Sequence, residues 1–158
     1  MFDINSEFIE NITEEKLYIH DTTKPIQFPM QGDILSLDVE AVDSNNIYLI
    51  DINKKYATLE RVTFQDRFRK SIVLLRLDIG NKPHTNPDGN TIGGNHIHVY
   101  CDGFNDSFAF ALDDPILNEI NPNFNLDDFK TKNHQELFEA FSDFCNISNF
   151  PAIEVSFL

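Results

Sequence analysis

Residues 72–101 have the sequence IVLLRLDIGNKPHTNPDGNTIGGNHIHVYC, and this stretch decides the predicted fold. Its first eight residues are almost continuously apolar, which is typical of a central strand buried on both faces. Only Arg76 and Asp78 interrupt that strand, and we expect them to pair with neighbouring side chains. Residues 95–101 alternate between polar and apolar, which predicts a further strand with one buried face. Between the two strands, residues 80–94 hold four of the six glycines, and such long connections tend to be functional or mobile.

Three more strands are predicted on the N-terminal side of this stretch. Residues 34–42, 47–52 and 57–69 are strand-like runs, and the Asp-Ser-Asn-Asn sequence at 43–46 joins the first two as a tight hairpin. On the C-terminal side, residues 107–112 are expected to return as the hairpin partner of the alternating strand. Together these runs indicate a mostly antiparallel sheet.

Helices are predicted towards both ends of the chain. Residues 6–17 carry apolar side chains at near-helical spacing, and Ser6 can act as the N-cap. Residues 133–136 (NHQE) have the form of a capping box, and the apolar stripe after them would cover one face of the sheet. Residues 152–158 predict a last strand. We therefore expect residues 1–158 to form one α+β domain, with a curved, barrel-like sheet and an N-terminal and a C-terminal helix packed on it.

The charge of the chain is distributed unevenly. Asp and Glu number 26 against 12 Lys and Arg, and the net charge of −14 argues against a protein that coats nucleic acid with its whole surface. All four arginines and three of the five histidines nevertheless lie within residues 54–100, whose local net charge is +4. The rest of the chain then carries −18.

The sequence predicts a cytoplasmic protein that does not contact a membrane. No apolar run approaches the ~20 residues of a membrane span. Residues 1–10 are acidic where a signal peptide is basic and then apolar. Cys101 and Cys145 form no C-x-x-C pair, so we expect two buried thiols rather than a structural zinc site.

Alternation along the strands predicts a cationic patch. His96, His98 and Tyr100 share one face of their strand because alternate side chains point the same way. If that face lies on the same side of the sheet as the arginine-bearing face of residues 57–69, both would converge with His84 of the long loop on an anion-binding patch. The polar residues on that second face are Arg61, Thr63, Gln65, Arg67 and Arg69.

Such a patch suits metal-independent cleavage of RNA. A neutral histidine would take the 2′-hydroxyl proton, a protonated histidine would serve the leaving oxygen, and arginine would stabilise the developing charge. The expected pair is His84 with His96 or His98, and Tyr100 could donate a proton or hold the phosphate. The expected phosphate- or substrate-binding residues are Gln65, Arg67, Arg69, Arg76, Asn86 and Asp88.

Two other interpretations of these residues stay open. The H-x-H pair can be ordinary polar surface, with Arg67 and Arg69 protecting an edge strand against aggregation. Alternatively, His96, His98 and Asp102 have the local form of a two-histidine, one-carboxylate metal triad, as in cupins. Cupins usually carry Glu at that place and a further histidine on a later strand, whereas the later histidine here lies on the predicted C-terminal helix. We expect no cofactor unless this triad binds a metal.

Four motifs in this part of the chain resemble a family of small bacterial and phage proteins that is carried as a domain of unknown function. They are TFQDRFR at 63–69, LLRLD at 74–78, PHTNPDG at 83–89 and HIHVY at 96–100. The resemblance covers about residues 57–110, the candidate functional core. Proteins of this kind look like accessory-genome cargo, which implies a toxin–antitoxin or phage-defence setting. The resemblance implies that one functional unit is formed by Gln65, Arg67, Arg69, Arg76, His84, Asn86, Asp88, His96, His98 and Tyr100.

Two main function classes follow. The first is a nucleic-acid-processing enzyme, most concretely an endoribonuclease toxin that binds RNA at the local basic patch and is neutralised by a partner antitoxin. The second is an acidic, non-enzymatic inhibitor that presents carboxylates to a nuclease complex in place of phosphates, with the Arg and His side chains as internal scaffolding. A cupin-like metal-binding protein is a further alternative. In the enzyme the Arg and His side chains should be reachable around a pocket, and in the inhibitor they should be buried and mutually hydrogen-bonded.

Overall fold

The structure is a computed structural model that describes residues 14–19 and 23–155. None of the helices in these residues is sufficiently long and apolar to cross a membrane. The helices are α1 (Ile116–Ile120), a 3-10 helix (Leu126–Phe129) and α2 (His134–Phe144). The strands are β1 (Leu17–Ile19), β2 (Ile26–Gln27), β3 (Ile34–Ala41), β4 (Ile47–Asn53), β5 (Val62–Phe68), β6 (Ile72–Ile79), β7 (His84–Thr85), β8 (Thr91–Ile92), β9 (His96–Cys101), β10 (Asn105–Ala111), β11 (Ile147–Ser148) and β12 (Ile153–Glu154).

Eight strands form one sheet in the order β10-β9-β6-β5-β4-β3-β1-β11. All neighbouring pairs in it are antiparallel except β1 and β11, which are parallel. The predicted mostly antiparallel α+β architecture is therefore confirmed, and so are the hairpins β3–β4 and β9–β10. The strand predicted to be central, β6, lies between β5 and β9.

The apolar face of the sheet packs against α2. The ring of Phe64 on β5 lies 5.9 Å from that of Phe138 and 6.0 Å from that of Phe141, measured between centroids. The helix begins where predicted, because the Asn133 side chain accepts a hydrogen bond from the backbone N–H of Glu136 at 3.0 Å. The C-terminal helix that covers one face of the sheet is confirmed.

The sheet is open, so the barrel-like closure expected from the sequence is wrong. Among the described residues, β10 and β11 are the two edges of the eight-stranded sheet. Because α2 covers the apolar face, that face is buried without the edges pairing with each other.

The two ends of the chain differ from the predictions. Most of the helix predicted over residues 6–17 lies outside the described residues, but its last residue, Leu17, begins strand β1. Leu17 and Ile19 are buried while Tyr18 between them is half-buried, which is the alternation of a strand with one buried face. At the other end, the predicted last strand contains β12, which pairs with β2 in a separate two-stranded sheet, and residues 156–158 of that prediction lie outside the described residues.

Candidate functional site

The register of the sheet brings most of the predicted site residues to the face opposite α2. Gln65, Arg76 and His98 are direct partners across β5, β6 and β9. Asp78 and His96 are partners in the next row. Leu77, between Arg76 and Asp78, and Ile97, between His96 and His98, belong to the core. The arginine-bearing and histidine-bearing strands therefore share one face.

Asp78 is the centre of a polar cluster on this face. Its Oδ2 lies 3.3 Å from His96 Nε2 and 3.2 Å from His98 Nε2. Its Oδ1 accepts a hydrogen bond from Arg76 Nε at 3.0 Å, and Arg76 Nη1 donates to Asp106 at 3.0 Å. Both histidines are 1% exposed. We call these five residues the His–Asp–Arg cluster.

Backbone carbonyls determine which nitrogens of the neutral histidines carry protons. Nδ1 of His96 lies 2.8 Å from the Gly94 carbonyl, and Nδ1 of His98 lies 2.8 Å from the Asp106 carbonyl. A carbonyl oxygen only accepts, so each Nδ1 donates and each neutral ring keeps its lone pair on Nε2. Arg76 Nη2 donates to the Nε2 of His98 at 2.9 Å. Both Nε2 atoms lie beside the Asp78 carboxylate, so a proton or another cation must separate these acceptors.

The Asp78 carboxyl is ionised at neutral pH. Burial by itself would raise its pKa, but hydrogen bonds from His96 and His98 when they are protonated, together with the charge of Arg76, outweigh burial. These contacts hold the pKa of Asp78 well below its usual range. The cluster therefore has an ionised carboxylate at its centre at neutral pH.

The long loop covers the cluster and is tied to β10. The His84 ring lies 4.5 Å from that of His98, measured between centroids, and His84 Nε2 donates to the Ser107 carbonyl at 2.7 Å. Asn86 is buried, and its side-chain amide hydrogen-bonds both backbone polar groups of Ala109. It donates to the Ala109 carbonyl at 2.9 Å and accepts from the Ala109 N–H at 2.8 Å. The loop also contains the small hairpin β7–β8, so it is more ordered than its lack of periodicity suggested.

Asn86→Ala is expected to lower the free energy of unfolding by about 2–4 kcal/mol, because it leaves two buried backbone groups of Ala109 unpaired. Urea unfolding measures this loss, and hydrogen exchange should show faster exchange of the Ala109 amide. The matched control is Asn90→Ala in the same loop, where Asn90 is exposed and its side chain binds Asp88. We expect the control to change stability by less than about 0.5 kcal/mol. Equal losses in the two variants would contradict the anchoring role of Asn86.

Arg67 and Gln65 bind a carboxylate of the protein itself. Arg67 Nε and Nη2 donate to the two oxygens of Asp51 at 2.6 and 2.9 Å, and Gln65 donates to the same carboxylate at 2.7 Å. Burial tends to raise the pKa of Asp51, but these hydrogen bonds and the Arg67 charge lower it overall. The predicted phosphate-binding pair therefore already holds an internal anion.

Arg61 and Arg69 lie outside the shared face. Arg61 precedes β5, with its guanidinium 4.2 Å from the centroid of the Tyr56 ring and its Nε donating to Asn81 at 2.6 Å. Arg69 follows β5 with a φ of 51° in the β5–β6 turn, and its guanidinium lies 5.0 Å from the Phe68 ring. The strand predicted over residues 57–69 is therefore shorter at both ends, and Arg61 and Arg69 do not belong to its arginine-bearing face.

Three other predicted residues lie at the margins of the cluster. Asp88 is exposed in the loop and accepts hydrogen bonds from Asn90. Tyr100 is half-buried on β9. Asp102 is exposed in the turn after β9, so the carboxylate beside the two histidines comes from Asp78 on the neighbouring strand and not from Asp102. The signal for Asp78 was present in the sequence, as an acid that interrupts an apolar strand.

The comparison with protein families covers most of the chain. A model described as "Family of unknown function (DUF6978)" matches residues 4–149. The chain belongs to this family. The resemblance found on residues 57–110 is confirmed at the level of a family of unknown function, and the match extends well beyond that segment. Neither a curated protein nor a solved structure shows significant similarity to the chain.

Proposed function

We propose that this member of the family is a non-enzymatic, acidic binding protein that presents carboxylates to the nucleic-acid-binding surface of a partner such as a nuclease complex. The observation that supports it is that Arg67, Arg76, His96 and His98, which the sequence had assigned to an anion-binding patch, contact carboxylates of the chain itself. With these groups occupied, the net charge of −14 leaves acidic groups in excess over the rest of the protein.

Two of the three carboxylates that pair with Arg67 and Arg76 come from outside the basic segment. Arg67 pairs with Asp51, and Arg76 pairs with both Asp78 and Asp106. Asp51 and Asp106 lie just before and just after residues 54–100, so they offset part of the positive charge that this segment carries along the sequence. A free phosphate would have to displace these carboxylates, which favours a binding protein over an RNA-cleaving enzyme.

The burial of the histidines also supports a binding protein rather than an enzyme. General acid and base groups must reach the substrate within hydrogen-bond distance, and His96 and His98 are 1% exposed beneath the loop that carries His84. A hydrogen-bonded polar network of this kind holds a loop on a sheet. The cluster therefore suits a scaffold for the binding surface better than a site open to RNA.

The helical segment carries an acidic surface. Residues 113–143 contain eight acids and two lysines, and seven of the eight acids are exposed. Asp128 and Asp143 line the same pocket, and burial first and then the charge of Asp128 raise the pKa of Asp143. Glu139 lies one helical turn before Asp143 on α2. We call Asp128, Glu139 and Asp143 the acidic patch.

The first test asks whether the protein cleaves RNA. Wild type and the His84→Ala/His98→Ala variant, both shown to be folded by circular dichroism, are induced in a bacterial host while growth and total RNA are followed. We expect intact RNA and unchanged growth in both cultures. Growth arrest with RNA fragments from wild type alone would overturn the proposal and establish a histidine-dependent nuclease.

The second test asks what the acidic patch binds. In-cell cross-linking compares wild type with Asp128→Asn/Glu139→Gln/Asp143→Asn, and the matched control is a triple variant with the same charge change at exposed acids elsewhere. We expect wild type and the control to capture a nucleic-acid-binding protein that duplex DNA displaces, and the patch variant to capture about tenfold less. Equal capture by all three, or capture insensitive to DNA, would contradict the proposal. The control substitutions are Asp33→Asn, Asp43→Asn and Asp102→Asn.

A further inference from the structure

We propose that Asp78 Oδ2, His96 Nε2 and His98 Nε2 form a binding site for one divalent transition-metal ion of the kind that accepts imidazole ligands, such as Zn²⁺. This site goes beyond the proposed binding function, and it would link strands β6 and β9, which carry its ligands.

The spacing of the three ligand atoms matches a metal centre. Oδ2 of Asp78 lies 3.3 Å from one imidazole nitrogen and 3.2 Å from the other, and the ligand atoms of all three residues lie within 4.8 Å of one another. Metal–ligand bonds of about 2.0–2.1 Å place adjacent ligands about 2.9–3.4 Å apart in octahedral to tetrahedral geometry. Two of the three edges of the site are therefore already at the spacing that a bound ion requires.

The chemistry of the donors also fits. The Gly94 and Asp106 carbonyls hold the Nδ1 protons of the two histidines, so the lone pair of each neutral ring is on the nitrogen that faces Asp78. Metal-binding histidines are oriented in this way, with the second ring nitrogen donating to a carbonyl or carboxylate. Two imidazoles and one carboxylate form the donor set of an open transition-metal site, whereas Mg²⁺ and Ca²⁺ prefer oxygen ligands.

The charge of the cluster favours a cation. Asp78 and Asp106 present two carboxylates to one guanidinium, that of Arg76. An ion at Oδ2 would displace the two hydrogen bonds of Arg76 Nη2, to His98 Nε2 at 2.9 Å and to Asp78 Oδ2 at 3.4 Å. The bonds from Arg76 to the other oxygen of Asp78 and to Asp106 can remain. Arg76 then holds the carboxylate ligand in place.

Binding is measured with Zn²⁺ on the full-length protein after removal of metal with a chelator. Isothermal titration should give one ion per chain for wild type, and His96→Ala/His98→Ala should weaken the affinity by at least about 100-fold, more than the loss of a supporting group costs. The matched control is His134→Ala, because His134 lies outside the cluster and its Nε2 is 3.2 Å from the Glu60 carbonyl. An equal loss in the control, or no loss in the double variant, would overturn the proposal.

A second measurement does not depend on the variants folding. X-ray absorption of the Zn²⁺-loaded wild type should show two imidazole ligands and oxygen ligands around the ion. A shell of oxygen alone, a sulfur ligand, or no stoichiometric binding would overturn the site. Because this readout involves no partner protein, its failure is distinguishable from a failure of the proposed binding function.

Discussion

Asp78→Asn is expected to lower the free energy of unfolding by about 3–5 kcal/mol at pH 7, the range observed when one member of a buried ion pair is removed. Asp78 accepts from Arg76 and lies beside both histidines of the cluster, and its side chain is 10% exposed. The amide keeps the shape of the carboxyl but removes the charge that balances Arg76. Urea unfolding of wild type and variant measures the difference.

The pH dependence of that difference provides a further check. The folded protein holds the pKa of Asp78 well below its usual range, so its stabilisation is present above the unfolded value of about 4 and is lost as the pH falls below it. The gap between wild type and Asp78→Asn should therefore narrow below about pH 4. The control Asp102→Asn, at an exposed turn residue, should change stability by less than about 0.5 kcal/mol. A gap that stays constant on acidification would contradict the assignment of the effect to the Asp78 charge.

Asp66 is expected to produce the opposite pH dependence. It lies on the core face of β5 and is 3% exposed, and among the described residues no group donates to its Oδ1. Burial, partly offset by a hydrogen bond from the Cys145 thiol and reinforced by the charge of Asp51, raises the pKa of Asp66 to about 7. Ionising it therefore costs more in the folded state than in the unfolded state, so stability falls as the pH rises from about 4 to about 7.

Asp66→Asn should remove this fall in stability with rising pH. Between pH 5 and 8, we expect the free energy of unfolding of wild type to fall by about 3 kcal/mol relative to the variant, since one pKa unit corresponds to about 1.4 kcal/mol. Chemical unfolding of both proteins across this range measures the difference, and the exposed Asp102→Asn serves again as the charge-matched control. Parallel pH profiles for wild type and Asp66→Asn would show that Asp66 is ionised in the folded protein at every pH tested.

Local patterns were sufficient for the strands and hairpins of the middle of the chain. The alternation of residues 95–101 correctly assigned His96 and His98 to one face and Ile97 and Val99 to the core. The capping sequence at Asn133 correctly marked the start of α2. These features were predictable because side-chain periodicity and helix capping depend on residues within a few positions of one another.

The predictions that failed concern features that depend on contacts between distant segments. Leu17 is in a strand because β3 and β11 provide backbone partners on both sides of it, and no local pattern reports a partner about 130 residues away. The sheet is open because a helix covers its apolar face, which the strand patterns do not encode. The short helix α1 and the 3-10 helix Leu126–Phe129 had too few residues for a periodic signal.

By itself, the sequence determined which residues of the central strands share a face, since residue type and alternation are local properties. Only the tertiary structure decided what those residues contact. The sheet register placed Asp78 against His96 and His98, and the pairing of Arg67 with Asp51 and of Arg76 with Asp106 offset part of the charge of the basic segment. The physical reason is that electrostatic energy depends on distance in space. Charges that are far apart in the sequence, or separated by a turn, can therefore neutralise one another once the chain is folded.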